Sequence, residues 1–251
     1  MKISVITVCK NSSKTIQNTI ESVNAQSFKD IEHIFCDGGS NDGTQEIIKS
    51  LDSKSNTLLN GTDKGIYDAI NKGIKHAKGE IIAILNSDDF YCSESALEDI
   101  HEAFESGVDA VYGDLVYVDQ NNTNKVVRYW KSGYYNPNKF LWGWTVPHPA
   151  LFIRKSVYDK YGLYNNDYKI AGDYDLILRV LYKHKVSIKY IPKVLVKMRA
   201  GGASNGSLSK NLKVHQEDKL VWKNNQLKRN PLTLILKPLR KMGQFIFPKM
   251  H

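Results

Sequence analysis

The chain is short of cysteine, of long apolar stretches and, over most of its length, of net charge. Three cysteines (Cys9, Cys36, Cys92) in 251 residues form neither an even, closely spaced framework nor a CxxC pair. That excludes a disulfide-stapled scaffold and a zinc ribbon, and they read as small buried residues in a reducing compartment. No run approaches the ~18 consecutive apolar residues that cross a bilayer. The opening MKISVITVCKNS turns polar after about eight residues, too early for a signal-peptide core. A cytoplasmic location is therefore expected. There is no GxGxxG, which removes the dinucleotide fingerprint, and there is neither an internal repeat nor a low-complexity linker.

What is present is unevenly placed. Of the net charge of +9, residues 205–251 contribute +8, with ten Lys or Arg against Glu217 and Asp218. The first 204 residues are nearly neutral, so the pattern is a basic tail on a balanced globule. Such a tail suits nucleic acid or an anionic membrane, and composition does not choose between them.

Apolar periodicity predicts alternating elements. Residues 2–9 form a short β-branched run of the buried-strand type. Asn11, Ser12 and Ser13 offer helix-capping side chains ahead of Ile16, Ile20 and Val23, which recur at helical spacing. Strands are expected at 31–36, 57–59, 80–85 and from 110. Helices are expected at 44–51, 66–77 and 95–104. This alternation implies an α/β fold with a mostly parallel sheet flanked by helices, whose ligands sit beyond the carboxyl ends of the strands. The polar clusters fall at those ends: Lys10-Asn11, Asp37, and Asn86-Ser87-Asp88-Asp89. After Gly113 the chain is less regular and aromatic, with Tyr129, Trp130, Tyr134, Tyr135, Trp142 and Trp144.

Each cluster has a structural reading beside a chemical one. Asp37-Gly38-Gly39-Ser40-Asn41-Asp42-Gly43 is a glycine-rich turn, or a strand end whose Asp37 accepts hydrogen bonds from a nucleobase or ribose. The adjacent carboxylates Asp88 and Asp89 cap a helix, or are held together by a divalent cation shared with a diphosphate. Asp173, in Ala171-Gly172-Asp173-Tyr174-Asp175, is a helix cap or a general base toward a hydroxyl.

Taken together and in order, these motifs resemble the GT-A glycosyltransferases of family 2. The likeness runs from Ser4 to about Ser204, through SVITVCKN, DGGSNDGT, DKGIYDAINKGIKHAKGE, LNSDD, HPALFIRKSVYDKYGLYN and KIAGDYDLILRV. It is strongest to bacterial enzymes that build capsule, O-antigen or exopolysaccharide. The resemblance implies a GT-A (Rossmann-like) domain over 1–204, with a nucleotide-sugar half at 1–113 and an acceptor half at 114–204. It implies that Thr7 and Asp37 hold the uracil or ribose of a UDP-sugar and that Asp63 and Lys64 lie beside the nucleotide. Asn86, Ser87 and Asp88 would occupy the family's DxD position, with Asp88 on Mn²⁺ or Mg²⁺. Asp173 would be the catalytic base of an inverting transfer. Trp142, Trp144 and His148 would lie on the acceptor side. Asn86 stands where many relatives have Asp, and Gly172 where many have Glu. No QxxRW-like motif follows, which argues for a non-processive enzyme.

Between Pro231 and Pro248 the tail alternates Lys237, Arg240, Lys241 and Gln244 with Leu232, Ile235, Leu236, Leu239, Met242 and Ile246. This is the pattern of an interfacial helix, expected to break into two segments at Pro238. A helix packed on the domain is the alternative. A polyprenyl-linked glycan acceptor, met at the inner face of the plasma membrane, would give a membrane-surface tail a use. A nucleotidyltransferase, or a nucleotide-sugar-binding subunit without turnover, remains as a competing reading. A nucleic-acid partner is not expected, because three acidic strand ends would repel phosphates.

Overall fold

The computed structural model describes residues 1–51, 56–201, 208–242 and 244. Its centre is a twisted sheet in strand order β3-β2-β1-β4-β8-β6-β9-β5, with β7 also paired to β6. The N-terminal half is parallel throughout: β1 (Ile3–Cys9), β2 (Ile31–Asp37), β3 (Asn56–Asn60) and β4 (Ile81–Ile84). All seven residues of β1 are buried, as a strand covered on both faces requires. In β4 the period-two alternation sends Ile82 and Ile84 into one core, and Ile81 and Ala83 into the other.

α1 (Ile16–Asn24), α2 (Thr44–Ser50), α3 (Ile66–His76) and α4 (Ala96–Phe104) connect and cover these strands. α3 comes close to the sheet at Gly73, where a Cβ would lie 2.5 Å from Ile6 and 3.1 Å from Cys36. The capping expectation for Asn11, Ser12 and Ser13 is corrected. α1 begins behind Thr15 with no side-chain cap, because those three residues bond to another loop instead.

Beyond β4 the sheet becomes mixed. β5 (Phe90–Tyr91) pairs antiparallel with β9 (Ile188–Arg199). β8 (Leu151–Arg154) lies antiparallel between β4 and β6 (Ala110–Val118). β9 runs parallel along one edge of β6; the other edge is shared, β8 taking 110–112 and β7 (Val126–Trp130) taking 115–118. The two part at Gly113 and Asp114. Buried Asp114 accepts there from Tyr129 Oη, Tyr190 Oη and Ser132 N at 2.7–2.8 Å.

α5 (Lys155–Tyr161) and α6 (Gly172–Ile177), the latter continuing in π-helical turns over Leu178–Lys183, lie between β8 and β9 in the chain. Two C-terminal helices follow, α7 (Leu208–Asn224) and α8 (Thr233–Met242). Here two expectations are corrected. The described residues 208–242 do not stand apart from the domain as a tail, because Val221, Trp222 and Leu234 belong to the largest core. Pro238 does not break α8, which passes through it. Losing one helical hydrogen bond is outweighed by tertiary anchoring: Thr233 Oγ1 donates to Leu141 O (2.6 Å) and Lys237 pairs with Asp218 (2.7 Å). Ile246 and Pro248 lie outside the described residues.

Trp222 is 1% exposed and its Nε1 donates to Tyr174 Oη at 3.0 Å. Trp222→Ala is expected to lower unfolding stability by ~3–5 kcal/mol, the range for a buried tryptophan cavity. Denaturant titration checks this, and a loss under about 1 kcal/mol would separate α7 from the core.

Candidate active site

The parallel strands β1, β2 and β4 end at one edge of the sheet, and the loops that follow them are tied together by side chains. Asn11, at φ 51°, receives Asn41 N on its Oδ1 (3.1 Å) and donates its own N to Ser40 Oγ (2.8 Å). Ser12 N donates to Thr44 Oγ1 (2.8 Å), Ser13 N to Asp42 Oδ2 (3.0 Å), and Ser12 Oγ meets Ser87 Oγ (2.8 Å). These contacts lock the ends of β1, β2 and β4 into one rim.

Asp37 closes the loop after β2. Its carboxylate accepts from Gly39 N, Ser40 N, Gln45 Nε2 and the Ser40 hydroxyl. Burial alone would raise its pKa, but these donors hold it below the ordinary carboxylate value. Thr7 is fully buried and its hydroxyl meets His33 Nε2 (2.9 Å). Burial drives His33 down to about 3, so the ring is neutral. The structure thus gives the Thr7 and Asp37 side chains partners beneath the rim. Asp63 is different: it pairs with Lys72 (3.5 Å) while its buried Oδ2 has no hydrogen-bond partner. That oxygen is an acceptor in want of a donor. Lys64 is exposed beside it, its N–H donating to Asp68 Oδ2 (3.0 Å).

Asn86, Ser87 and Asp88 extend from the end of β4. Asn86 Nδ2 donates to Asp89 Oδ2 (2.8 Å), and Asp89 Oδ1 is buried without a partner. Burial raises the pKa of both Asp88 and Asp89, repulsion from Asp88 adding to the rise at Asp89, and Arg199 opposes the shift at both. Two carboxyls biased toward neutrality, with an orphaned oxygen and an all-oxygen donor set, fit a hard divalent cation. Among the described residues no group of three or more His, Cys, Asp or Glu could enclose an ion. The fit is to an ion that takes one carboxylate from the protein and its remaining ligands from phosphate and water.

A cavity of about 270 Å³ runs from Asn86 to Asp173, walled by Tyr67, Tyr117, Trp130 and His148. It joins the two expected chemical clusters, whereas Thr7, Asp37, Asp63 and Asp88 lie outside its lining. Asp173 sits in the first turn of α6, and the helix has no side-chain cap. Its segment is clamped from two sides. Glu217 of α7 accepts from the N–H groups of Lys169, Ile170 and Ala171 at 3.2, 2.9 and 2.8 Å. Tyr67 Oη donates to Ile170 O (2.5 Å), and its ring lies where a Cβ on Gly172 would come within 2.8 Å. Glycine at 172 leaves room for that ring.

His148 lines the cavity and its Nε2 meets Tyr164 Oη (2.6 Å). Burial lowers its pKa, against an opposing pull from Asp173. The expected tryptophans separate. Trp144 is 8% exposed, its Nε1 bonded to Ser132 O (2.9 Å), while Trp142 is half exposed and lines neither this cavity nor the one beside it. Both cavities are lined instead by Trp130, whose strand β7 is half-buried at every position and gives no alternating signal. Tyr67 stands inside the KGIYDA motif but carried no assigned role. Glu217 was legible only as one of two acids in a basic tail.

The family model described as "Glycosyl transferase family 2" matches residues 4–162. A protein of Mycobacterium tuberculosis (strain CDC 1551 / Oshkosh), "Uncharacterized glycosyltransferase MT1564", is 34% identical over 179 residues, covering 70% of this chain and 68% of its own. The Escherichia coli "UDP-Glc:alpha-D-GlcNAc-diphosphoundecaprenol beta-1,3-glucosyltransferase WfaP" is 39% identical over 100 residues, 39% of this chain and 40% of its own. Among solved structures, S. aureus TarS 1-349 in complex with UDP-GlcNAc superposes with a TM-score of 0.67 at 18% identity. That match covers 88% of this chain and 65% of that one, and it shows a shared fold.

The Glu217 clamp is open to test. Glu217→Ala leaves three backbone N–H groups without their acceptor, which is expected to cost ~1–3 kcal/mol. Amide exchange at Lys169, Ile170 and Ala171 should quicken while the β1 amides stay protected. Unchanged exchange at those three amides would rule the clamp out.

Proposed function

The chain belongs to glycosyl transferase family 2, and from that membership we propose that it moves one sugar, with inversion, from a UDP-sugar to a hydroxyl of a lipid-linked glycan in bacterial surface polysaccharide synthesis. It is a glycosyltransferase of GT-A fold. The observation that carries the proposal is the single cavity joining Asn86, at the end of β4, to Asp173 at the head of α6. Donor and acceptor chemistry can meet there.

The rim receives the donor. Lys64 and the unpartnered Asp63 Oδ2 flank the nucleotide, with Asn86, Ser87 and Asp88 beside its diphosphate. Asp37 and Thr7 hold the shape of that edge from below. Asp88 would hold Mn²⁺ or Mg²⁺, whose chemistry is to offset charge on the departing diphosphate. Asp173 faces the acceptor. Its carboxylate takes the hydroxyl proton as the oxygen bonds to the anomeric carbon and the bond from that carbon to the diphosphate breaks on the opposite face. Tyr67 and Glu217 hold Asp173 in place, and the aromatic walls exclude water from the transfer. TarS carries UDP-GlcNAc in its structure, and the name of WfaP states a diphosphoundecaprenol-linked acceptor. Both support, for this chain, a UDP-sugar donor and a lipid-borne acceptor.

α8 supports membrane-surface action. Leu232, Ile235 and Leu239 are 47%, 55% and 52% exposed, with Lys228, Arg229 and Arg240 near them in sequence. The proposed occupant of this apolar row is the boundary of an anionic bilayer, because cations flanking an apolar helix face match headgroups over acyl chains. Among the described residues no helix is long and apolar enough to cross a membrane.

UDP is expected to bind with Mn²⁺ dependence in calorimetric titration, and Asp88→Ala should weaken it by more than the ~10–100-fold typical of outer-shell metal partners. Asp173→Asn should keep UDP binding and lose ~10²-fold or more in kcat. Metal-independent UDP binding untouched by Asp88→Ala, or full turnover by Asp173→Asn, would sink the assignment. Ile235→Ser with Leu239→Ser should reduce co-sedimentation with phosphatidylglycerol vesicles by ~10-fold or more. Unchanged sedimentation would remove the membrane reading.

A further inference from the structure

A second cavity, of about 410 Å³, opens between β7, the turn at Pro137–Trp142 and α8. It shares Trp130, Thr145 and Lys237 with the cleft that holds Asp173. Its lining carries four cations, Lys131, Lys139, Lys237 and Arg240, and no carboxylate. Two of the four are already engaged. Lys237 is paired with Asp218 (2.7 Å) and lies over the Tyr174 ring, while Lys139 Nζ donates to Tyr134 O (2.7 Å). Lys131 and Arg240 make no ion pair or hydrogen bond among the described residues.

Cations gathered around one concavity repel each other, and the arrangement is relieved by an anion with several oxygens. The donor's diphosphate is not that anion. The nucleotide rim is at Asn86, Ser87 and Asp88, and none of these lines the cation cavity. We propose that this cavity is a subsite for the diphosphate of the acceptor, seated next to the cleft where the acceptor's hydroxyl meets Asp173.

The proposal deepens the lipid-linked acceptor reading and rests on it. It specifies that the reacting hydroxyl belongs to a sugar attached directly, or nearly so, to the diphosphate, since the two cavities share walls. It also gives α8 two roles on one helix. Lys237 and Arg240 face the diphosphate subsite, and Ile235 and Leu239 point to solvent, where the lipid chain would continue.

The test uses the full chain saturated with UDP in excess Mg²⁺, titrated with inorganic pyrophosphate and, separately, with farnesyl diphosphate. Quenching of tryptophan fluorescence is the readout, because Trp130 and Trp144 line the cavity. Both probes are expected to bind, more weakly as salt rises. Lys131→Gln with Arg240→Gln should weaken both by ~10-fold or more, with UDP affinity unchanged. Tighter binding of farnesyl diphosphate assigns the anion to a lipid, and equal binding assigns it to the diphosphate alone; each supports the subsite. Failure of both probes to bind, binding unaffected by the double variant, or equally strong displacement of farnesyl diphosphate by phosphatidylglycerol vesicles would overturn it. A chain that binds pyrophosphate through Lys131 and Arg240 but not UDP would keep this subsite and lose the donor reading.

Discussion

Carboxylates brought to one edge of a sheet repel each other, and much of the local architecture answers that constraint. The parallel strands deliver Asp37, Asp88 and Asp89 to one rim, and Asp63 and Asp173 come near it. Each is met differently. Asp37 is saturated by its own loop, Asp63 takes Lys72 on one oxygen, and Asp89 takes Asn86 on one oxygen. Asp88 has its own backbone N–H and the charge of Arg199 to set against its burial. The unequal treatment separates function from support. Where donors are complete the carboxylate shapes the backbone, and where they are incomplete it has capacity left for a ligand.

Strands β1 to β4, the start of β6 and the rim were legible in the sequence because they rest on short-range signals, whereas β5, β7, β8 and β9 were not. β-branched runs bounded by polar clusters mark strands buried on both faces, and the helices expected at 44–51, 66–77 and 95–104 appear as α2, α3 and α4 within a residue or two of those ends. The interior partners were not legible. Thr7 lies in the same apolar run as Ile6 and Val8, and nothing local tells which way its hydroxyl turns; His33, 26 residues later, decides it. Trp142 and Trp144 look equivalent in sequence. The αL residue Gly143 between them sends one into the core and leaves the other half exposed. α7 reads as solvated because its few buried residues are outnumbered by lysines, asparagines and glutamine.

The family match ends at residue 162, before Asp173 and before most of what holds it. The rim after β1, β2 and β4 is built from elements inside the match. The cleft around Asp173 is closed by elements beyond it: α6, β9, α7 and α8. Asp173 depends on a glutamate 44 positions later in the sequence, and Trp222 reaches back to Tyr174 in the same helix turn. The rim is thus set by the parallel strands, and the cleft by tertiary contacts around one carboxylate.

Gly143 meets α8 backbone to backbone: a Cβ there would fall 2.4 Å from Lys237 N and 2.9 Å from the Leu236 carbonyl carbon. On the helix's far side Ile235 and Leu239 remain exposed, so the pairing fixes both the height and the rotation of α8. Thr233, bonded to Leu141, and Lys237, paired with Asp218, are held at one helical spacing. One residue inserted between them would turn the rest of the helix by about 100°, carrying Lys237 away from Asp218. In this chain the spacing between Thr233 and Lys237 is as much a part of the cleft around Asp173 as the residues that line it.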